Sequence, residues 1–292
     1  MESKICIVGS SNIDQIAYVE TIPHDGETVF GSKYQMGFGG KGANQAVMAG
    51  LMGAQTFMIT CLGDDVYADM TIENFINNGV NVDFIQRVEG SSGVAPIWVD
   101  KTGQNRIIVI SGANDHIDAN KAIGAIDKIE NLNYIIGQFE IPLEVTEKVF
   151  IYAKNKNIQT ILNPAPAKIP SNELLQATDW FIPNEIEFQT ITGSSAFVDE
   201  NLLNFANTLT GNLIVTLGDK GAAFIENDRV IKIEAPNVSA IDTTGAGDAF
   251  VGAFSAGLAN GLFPLEAIRL GVDRASDSVT KPGTQSSYAK EQ

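Results

Sequence analysis

Short runs of β-branched and other apolar residues alternate with helix-forming stretches along most of the chain, and this alternation is the strongest constraint on its fold. Parallel strands joined by helices give this order, because each helix carries the chain back across one face of the sheet. The predicted strands are Lys4–Val8, Thr56–Cys61, Tyr134–Gln138, Thr160–Asn163, Trp180–Pro183 and Leu213–Leu217. The predicted helices are Gly42–Leu51, Asp65–Asn77, Ala119–Glu130, Leu143–Lys154 and Glu200–Leu209. The sequence therefore predicts an α/β fold with a doubly wound, mostly parallel sheet and helices on both faces, in which ligands bind at the carboxyl ends of the strands.

Two regions interrupt this alternation and have the pattern of β-hairpins. Each is a pair of apolar strands with a glycine in the turn, and the pairs are Gln15–Ile22 with Thr28–Phe38 and Gly93–Asp100 with Gln104–Ser111. We expect them to form a small β-sheet lid, made of about residues 14–38 and 93–111, on a single domain that spans residues 1–292. Because these strands are apolar on both faces, one face is expected to close over a ligand and the other to meet a second subunit. The alternative is that both faces pack on the main domain.

The net charge of the chain limits the partners that it can bind. With 19 basic and 35 acidic residues the formal net charge is −16, and no basic surface for nucleic acid is visible. An anionic substrate must therefore be held by backbone N–H groups, helix N-termini and a metal ion. No apolar run reaches the roughly 20 residues of a membrane span, and the first residues lack the pattern of a signal peptide. Cys6 and Cys61 lie in apolar runs, as reduced core thiols do, so we expect a cytoplasmic protein.

The first glycine-rich segment, GFGGKGANQ at residues 37–45, has the composition of a ligand loop at the start of a helix. Its glycines allow a close approach of the backbone, and Lys41 and Asn44 add side-chain donors. A tight turn with close helix packing would explain the glycines but not Lys41 together with Asn44. The segment also matches G-x-G-x-x-G, but a dinucleotide site carries that pattern in the turn after the first strand, where this chain has Gly9-Ser10-Ser11-Asn12. We therefore reject a nicotinamide-dependent dehydrogenase.

The second glycine-rich segment, DTTGAGDAF at residues 242–250, places anion-binding backbone beside a carboxylate. The N–H groups of Gly245, Ala246 and Gly247 lie at a predicted helix start, where the helix dipole favours an anion. Asp248 lies in the same turn, where the dipole favours its ionised form, so that it can accept a proton. Phosphoryl transfer from ATP to an alcohol needs such a pair of anion hole and base. The alternative is an ordinary helix start in which Asp248 only complements the dipole.

Two further polar segments follow predicted strands. In PNEIE, residues 183–187, the oxygens of Asn184 and Glu187 suit Mg²⁺ held through waters, and they suit equally a helix cap in which Glu187 reaches back. In TLGDKG, residues 216–221, a strand leads into a glycine-bearing loop that is either a nucleotide contact or a hairpin turn. The P-loop pattern G-x-x-x-x-G-K-[ST] and the protein-kinase motifs do not occur in the sequence, so those two kinase classes are excluded.

Single polar residues near other strand ends complete the candidate site. Asn12, Asp14 and Glu140 follow predicted apolar strands, and the carboxyl ends of parallel strands meet at one edge of a sheet. Asp14 and Glu140 could accept hydrogen bonds from sugar hydroxyls. Each of them alone is more often a helix cap or a solvated loop charge.

Together, in chain order, these motifs resemble those of the ribokinases, which belong to the phosphofructokinase-B-type carbohydrate kinase family. The matching segments, between about Ile5 and Ser287, are SSNIDQ, GGKGANQA, QFE, NPAPA, PNEIE, TLGDKG, DTTGAGDAF and KPGTQSS. The resemblance implies a ribokinase-like fold with a β-sheet lid, and ATP-dependent phosphorylation of the 5-hydroxyl of D-ribose to give ribose 5-phosphate and ADP. It also implies Mg²⁺, a monovalent cation, usually K⁺, and a homodimer formed through the lid. The alternatives are a kinase of 2-deoxyribose or of another sugar or nucleoside, and a sugar-binding regulator without catalytic activity.

The resemblance also implies roles for individual positions of this chain. By that similarity Asp248 is the catalytic base, and the anion hole is formed by Gly245, Ala246 and Gly247. The implied sugar contacts are Asn12, Asp14, Gly40, Lys41, Asn44, Glu140 and Asp248. The implied nucleotide contacts are Asn184, Thr216, Gly218, Lys220, Gly221 and Gly247. Glu187 resembles the glutamate associated with Mg²⁺, and the implied K⁺ positions are Asp242, Thr244, Ser278, Lys281, Gly283 and Ser287.

One stretch departs from the pattern of the family. Residues 271–283, GVDRASDSVTKPG, carry charges where the family usually builds a helix from Asn, Ala and apolar residues. Asp277 falls where we expect an apolar core position, so either the helix is shifted or the charge is paired. The departure bears on the adenine-side contacts expected near Val272.

Overall fold

The computed structural model describes residues 3–289. Within that range the strands are β1 (Lys4–Val8), β2 (Asn12–Val19), β3 (Gly31–Gly39), β4 (Gln55–Ile59), β5 (Cys61–Leu62), β6 (Val80–Asn81), β7 (Gln86–Arg87), β8 (Gly93–Val99), β9 (Asn105–Ile107), β10 (Leu132–Gly137), β11 (Gln159–Leu162), β12 (Trp180–Phe181), β13 (Asn212–Thr216), β14 (Ala222–Glu226) and β15 (Arg229–Ile233). The helices are α1 (Lys41–Leu51), α2 (Val66–Asn77), α3 (Ala119–Ile126), α4 (Leu143–Asn155), α5 (Asn172–Gln176), α6 (Glu185–Thr192), α7 (Asp199–Ala206), α8 (Ala246–Ala259) and α9 (Pro264–Ser278). Short 3₁₀ turns cover Gly112–His116, Gly218–Lys220 and Gln285–Ser287.

The main sheet has the strand order β15-β14-β13-β12-β11-β10-β1-β4-β6. Its strands from β13 to β6 pair in parallel, and β14 and β15 add an antiparallel edge. Strand β1 lies between β10 and β4, so the strand order reverses beside it, and a ligand crevice opens at such a point. The predicted fold class, a mostly parallel sheet with helices on both faces and a smaller separate sheet, is confirmed.

Both faces of the main sheet are buried, and the side chains of each strand alternate between two cores. In β1, Ile5 and Ile7 pack in the core that includes α1, α8 and α9. Cys6 and Val8 pack on the opposite face, in the core that includes α3 and α4. Burial on both faces explains why these strands are continuous apolar runs in the sequence. Among residues 3–289, no helix combines the length and the apolar character needed to cross a membrane.

A second sheet, which we call the small sheet, has the order β3-β2-β8-β9. The pairs β2–β3 and β8–β9 are antiparallel, and β2 pairs in parallel with β8, so two hairpins are joined side by side. One face is the more buried along β8, with Ala95 and Ile97 on it, while Trp98 on the other face is 37% exposed. The alternative in which both faces pack on the main domain is therefore wrong within this chain. The return strand of the second hairpin is shorter than predicted, because beyond β9 only an isolated bridge joins Val94 to Ile110.

One predicted strand, Thr56–Cys61, is divided in the structure. The chain leaves the main sheet after Ile59, the last residue of β4, and Cys61 begins β5, which pairs with β7 instead. The backbone oxygen of Thr60 between them accepts from the N–H of Gln86 at 2.8 Å. One continuous apolar run thus contributes strands to two different sheets. Its residue pattern alone does not reveal where the chain passes from one sheet to the other.

Candidate active site

The candidate site lies at the carboxyl ends of the parallel strands, from β1 across β10 to β13. Residues that follow β1, β10, β11, β12 and β13 there are Asn12, Glu140, Asn163, Asn184 and Thr216. Helices α1 and α8 begin at the same edge, and they are packed against each other. The sheet therefore brings together segments that are far apart in the sequence.

The start of α1 is closely packed and carries a charged cluster. Gly40 has φ +87°, and a Cβ there would lie 2.8 Å from the backbone N of Asn12, so this position requires glycine. The backbone N–H of Lys41 donates to Glu140 Oε2 at 2.9 Å, and the hydroxyl of Ser10 donates to the same oxygen at 2.7 Å. Glu140 thus accepts a hydrogen bond from a backbone N–H group at the start of α1, as in the alternative in which it is a helix cap. Its charge also acts on Lys41. The pKa of Lys41 is raised, first by the charge of Asp248 and then by Glu140 and Glu187, against an opposing effect of burial.

The backbone predicted to bind an anion lies at the start of α8. Gly245 precedes the helix with φ +76°, and a Cβ there would collide with the methyl group of Thr284. The Tyr288 hydroxyl donates to the Gly245 oxygen at 2.9 Å. A Cβ at Gly247 would meet no atom within 4 Å, so that the backbone there borders open space. This space is a cavity of about 150 Å³ lined by Lys41, Asn163, Ala165, Ile182, Asn184, Glu187, Thr216, Gly245, Gly247, Asp248 and Val251.

Asp248 is held in the wall of this cavity by two amides. It is 6% exposed, and its Oδ2 accepts from Asn44 Nδ2 at 2.8 Å while its Oδ1 accepts from Gln45 Nε2 at 3.1 Å. Burial raises the pKa of Asp248, and the Lys41 charge and the two amide donors oppose that rise. The sequence predicts that the helix dipole favours the ionised form of Asp248, but burial has the opposite effect on its pKa. A buried carboxylate of raised pKa beside a cation has the proton affinity that a general base needs.

Asp14 and Asn12 lie at the junction of the main sheet and the small sheet. A Cβ at Gly39 would lie 2.5 Å from the carboxylate oxygens of Asp14, so glycine makes room for that side chain. Burial, with a smaller effect from the Glu140 charge, raises the pKa of Asp14 to about 7. The Asn12 side-chain oxygen accepts from Asn114 Nδ2 at 2.8 Å. The carboxylates of Asp14 and Glu140 are thus close enough to repel each other.

A larger cavity of about 680 Å³ adjoins the small one, and the two share Asn184, Thr216 and Gly247. Its walls are mainly glycine backbone and small or apolar side chains, and Glu185 and Asp219 also line it. The apolar and glycine positions include Gly218, Gly221, Ala235, Pro236, Val238, Phe250, Val272, Ala275 and Val279. The TLGDKG segment is both a wall of this cavity and the connection from β13 into the antiparallel strand β14, so its two alternatives coexist. Lys220 does not line this cavity; its ammonium lies 4.4 Å from the ring centre of Phe197.

Asn184 and Glu187 form the capping box that the sequence left as an alternative. The Glu187 N–H donates to Asn184 Oδ1 at 2.7 Å, and the Asn184 N–H donates to Glu187 Oε2 at 2.8 Å. These two bonds leave the second carboxylate oxygen of Glu187 at the wall of the small cavity. Within residues 3–289, no three His, Cys, Asp or Glu side chains are grouped to hold a metal. One carboxylate fits Mg²⁺ that takes its remaining ligands from water and phosphate.

The six positions implied for K⁺ belong to two neighbouring segments, residues 242–244 and 278–287. Asp242 joins them, because its Oδ1 accepts from the Thr244 N–H at 3.0 Å and its Oδ2 from the Gly283 N–H at 2.9 Å. The Lys281 ammonium pairs with Asp277 at 3.3 Å, which leaves Lys281 only its backbone oxygen as a ligand. The hydroxyls of Ser278 and Ser287 donate to nearby backbone carbonyls, so their oxygen lone pairs remain available to a cation. This oxygen-rich set fits a monovalent cation.

The departure at residues 271–283 does not disturb α9. Asp277 is not a core position, since its side chain is 39% exposed and pairs with Lys281 four residues on. Val272 is buried and lines the larger cavity, next to Phe250 and Ala275. Of the two explanations offered by the sequence, the paired charge is the one observed.

Several site residues were not singled out from the sequence. Gln45 and Gln285 were passed over, although Gln45 is an amide beside Asn44 in an otherwise apolar helix, and that pairing is a usable signal. Asn163 accepts from Gln45 at 3.2 Å and lines the small cavity. The cavity walls at Pro236 and Val238 lie in a segment between β15 and α8 that carries no motif. Long-range packing, rather than local pattern, brings these residues to the site.

A carboxylate beside a helix N-terminus, with a second cavity opening from the first, is the arrangement expected of a phosphotransferase that acts on an alcohol. Comparison with known proteins narrows this class. Residues 2–291 match the pfkB family carbohydrate kinases. The chain is 37% identical over 291 residues to a deoxyribokinase of Salmonella typhi, with 97% of this chain and 95% of the relative covered. It is 38% identical over 294 residues to a ribokinase of Staphylococcus aureus, covering 98% and 97%.

A solved structure gives the same result for the fold. The structure of Arabidopsis thaliana ribokinase complexed with ribose and ATP matches with a TM-score of 0.91 and 28% identity, over 99% of this chain and 96% of that one. The chain therefore belongs to the pfkB family of carbohydrate kinases, and it is a sugar kinase.

Proposed function

We propose that this protein transfers the γ-phosphoryl group of ATP to the 5-hydroxyl of D-ribose, giving ribose 5-phosphate and ADP. The observation that carries the proposal is the position of Asp248 in the wall of the small cavity, within one helical turn of the Gly245–Gly247 backbone and beside Lys41. That cavity opens towards the larger one, which we assign to the nucleotide. The sugar then lies between Asp248 and the carboxylates of Asp14 and Glu140.

The chemical step uses groups of this chain for the proton and for the developing charge. Asp248 accepts the proton of the sugar hydroxyl as the oxygen of that hydroxyl attacks the γ-phosphorus. The bond from that phosphorus to the bridging oxygen breaks, and its electron pair leaves with ADP. The N–H groups at Gly245–Gly247 and the Lys41 ammonium stabilise the negative charge on the transferred phosphoryl oxygens. The proton on Asp248 is later released to solvent.

We assign a magnesium site to Glu187 with Asn184 and a monovalent-cation site to the Asp242 segment. When bound, Mg²⁺ neutralises phosphate charge, and K⁺ adds positive charge near the start of α8. Glu187 orients this site from the capping box at the start of α6. The acidic net charge of the chain, −16, makes such cations necessary beside ATP.

The second candidate substrate is 2-deoxyribose, and the similarity to the Salmonella typhi deoxyribokinase favours it. The two sugars differ in one hydroxyl, and a site built to pair a hydroxyl rejects the analogue that lacks it. Asp14, with room made for it by Gly39, offers a carboxylate for sugar hydroxyls. We therefore place ribose first.

The experiment is ADP release by the purified protein with Mg²⁺ and ATP, tested with ribose, 2-deoxyribose and a nucleoside, with and without K⁺. We expect the highest kcat/KM with ribose, and a higher rate with K⁺ than without. A higher kcat/KM with 2-deoxyribose would replace ribose by the second candidate. Saturable ribose binding without ADP release would overturn the kinase reaction itself.

We further propose a homodimer through the exposed face of the small sheet, and a cytoplasmic location. The register places the exposed apolar side chains of Tyr34, Met36 and Trp98 on this face, and residues 107–110 beside it are exposed and apolar as well. An apolar patch of this kind is typical of a protein interface. Both cysteines are buried and free, in keeping with a reducing compartment. Light scattering is expected to give a dimer, and a monomer at micromolar concentration would contradict it.

A further inference from the structure

A chain of amide side chains leads from the half-buried Asn74 in α2 to the carboxylate of Asp248. Asn74 Nδ2 donates to Gln285 Oε1 at 2.8 Å, and Gln285 Nε2 donates to Asn44 Oδ1 at 2.9 Å. Asn44 Nδ2 then donates to Asp248 Oδ2 at 2.8 Å. Every amide in this chain points its N–H end towards the carboxylate. We call the three amides Asn74, Gln285 and Asn44 the amide relay.

The direction of the relay is fixed by its chemistry. An amide side chain carries donors at one end and an acceptor at the other, so a reversed amide places two oxygens or two N–H groups face to face. Asn44 can donate to Asp248 only while its oxygen is turned away, and Gln285 holds that oxygen with a hydrogen bond. Asn44 and Gln285 are both buried, so water does not readily replace a lost partner.

A second arm reaches the other carboxylate oxygen from the sheet. Gln45 Nε2 donates to Asp248 Oδ1 at 3.1 Å, and Gln45 Oε1 accepts from Gln138 Nε2 at 2.6 Å. Gln138 is fully buried and packs so closely on Gly9 that no Cβ fits there. This arm is therefore anchored in the rigid centre of the main sheet, whereas the amide relay is anchored in the turn Gln285–Ser287.

The same turn also reaches the anion hole. Thr284 packs on Gly245, the residue before α8, and Tyr288 donates its hydroxyl hydrogen to the Gly245 oxygen at 2.9 Å. Residues 284–288 thus contact the anion hole directly and the base through Asn44. Their placement sets how the base and the anion hole lie relative to each other.

We propose that Gln285 is a positioning residue for phosphoryl transfer, which acts through Asn44 to fix the orientation of the Asp248 carboxylate. The proposal rests on the proposed role of Asp248 as the base. Four other titratable groups act on Asp248 or are acted on by it, namely Lys41, Glu140, Glu187 and Tyr288. The relay itself is neutral, so it orients the carboxylate and favours its ionised form without adding a charge to this crowded site.

The test uses two variants of nearly the same side-chain size. In Gln285→Glu the new carboxylate only accepts, so Asn44 must turn its N–H end to it and present its oxygen to Asp248. In Gln285→Met the partner of Asn44 is removed without reversal. We expect kcat to fall by about tenfold or more in Gln285→Glu and by less in Gln285→Met, with the KM for ATP unchanged. The acid limb of the kcat–pH profile should move to higher pH, by up to about one unit, because Asp248 loses a donor.

The control is Asn260→Ala, which removes an amide that donates to the Met52 oxygen at 3.2 Å, remote from the relay. Its kcat and acid limb should equal those of the wild type. The pKa of Asp248, followed by carboxyl ¹³C NMR without substrate, should rise most in Gln285→Glu, and by less in Gln285→Met, in which Asn44 loses the partner that holds its N–H end on Asp248. If both folded variants keep the wild-type acid limb and the wild-type pKa of Asp248, Gln285 has no positioning role, whatever happens to kcat. A wild-type protein that phosphorylates no sugar would overturn the proposed function, whereas the NMR result would still decide the relay.

Discussion

The proposed sugar side and the proposed nucleotide side of the site are lined by different kinds of residues. The proposed sugar side consists of buried and half-buried charged side chains, in which the charge of Glu140 acts on Asp14, Lys41 and Asp248. The proposed nucleotide side consists mainly of glycine backbone and small or apolar side chains such as Val272 and Phe250, with Glu185 and Asp219 as its acidic lining residues. A buried charge that loses its partner is costly, whereas an apolar wall tolerates small changes. Substitutions on the sugar side and at the junction should therefore change the reaction far more than those on the nucleotide side.

The largest effect is expected at the junction of the two sides, in Gly245→Ala. The new Cβ collides with Thr284, and φ +76° is strained for alanine, so the N–H groups of α8 must move. We expect kcat to fall by about 10² to 10³, the effect of losing anion-hole donors. Gly124→Ala is the matched control, since a Cβ there meets nothing within 4 Å. Steady-state ADP release measures both, and equal kcat values for the two variants would contradict the assignment of the anion hole.

On the sugar side, Asp14→Asn should raise the KM for ribose. A hydrogen bond to a charged group contributes about 1.5–3 kcal/mol, so the expected increase is about 10- to 100-fold. The KM for ATP should stay near the wild-type value, because Asp14 does not line the larger cavity. An unchanged KM for ribose would remove Asp14 from the sugar site and leave it a purely structural carboxylate.

The same carboxyl predicts a pH dependence with opposite signs for binding and stability. Because the pKa of Asp14 is raised from 3.8 to about 7, the KM for ribose should rise as the pH falls below about 7. The folded state binds this proton more tightly than the unfolded state, so the stabilisation is present at low pH and is lost as pH rises through about 7. Asp14→Asn should therefore raise the melting temperature at pH 8 while it flattens the KM profile. A lowered melting temperature at pH 8 would contradict the raised pKa.

The smallest effect is expected for Lys220→Ala on the nucleotide side. The Lys220 ammonium lies over Phe197, outside the larger cavity. The KM for ATP should change by less than about threefold, as for a surface substitution. A tenfold or larger increase would mean that Lys220 turns into the cavity when the nucleotide binds, as the family resemblance implies. The nucleotide side would then also depend on a charged side chain.

The sequence predicts the parts of this molecule that local pattern encodes. The apolar run Lys4–Val8 predicts a buried strand, which the structure contains, and the spacing in DTTGAGD predicts a helix start with Asp248 in its first turn, which it also contains. Gln285 could not be assigned in this way, since it lies 241 residues from Asn44 along the chain and only the packing of its turn against α1 brings them together. The pKa of Asp14 depends likewise on burial between two sheets, which no motif encodes.

The central claim is that Asp248 takes the proton of the sugar hydroxyl, and Asp248→Asn tests it most directly. The amide keeps the shape of the side chain and removes its capacity to accept a proton. With ribose, ATP, Mg²⁺ and K⁺, kcat for ADP release should fall by at least about 10²-fold, the lower bound for loss of a general base, while the KM for ATP is retained. A folded Asp248→Asn protein that turns over ribose at nearly the wild-type rate would contradict the account.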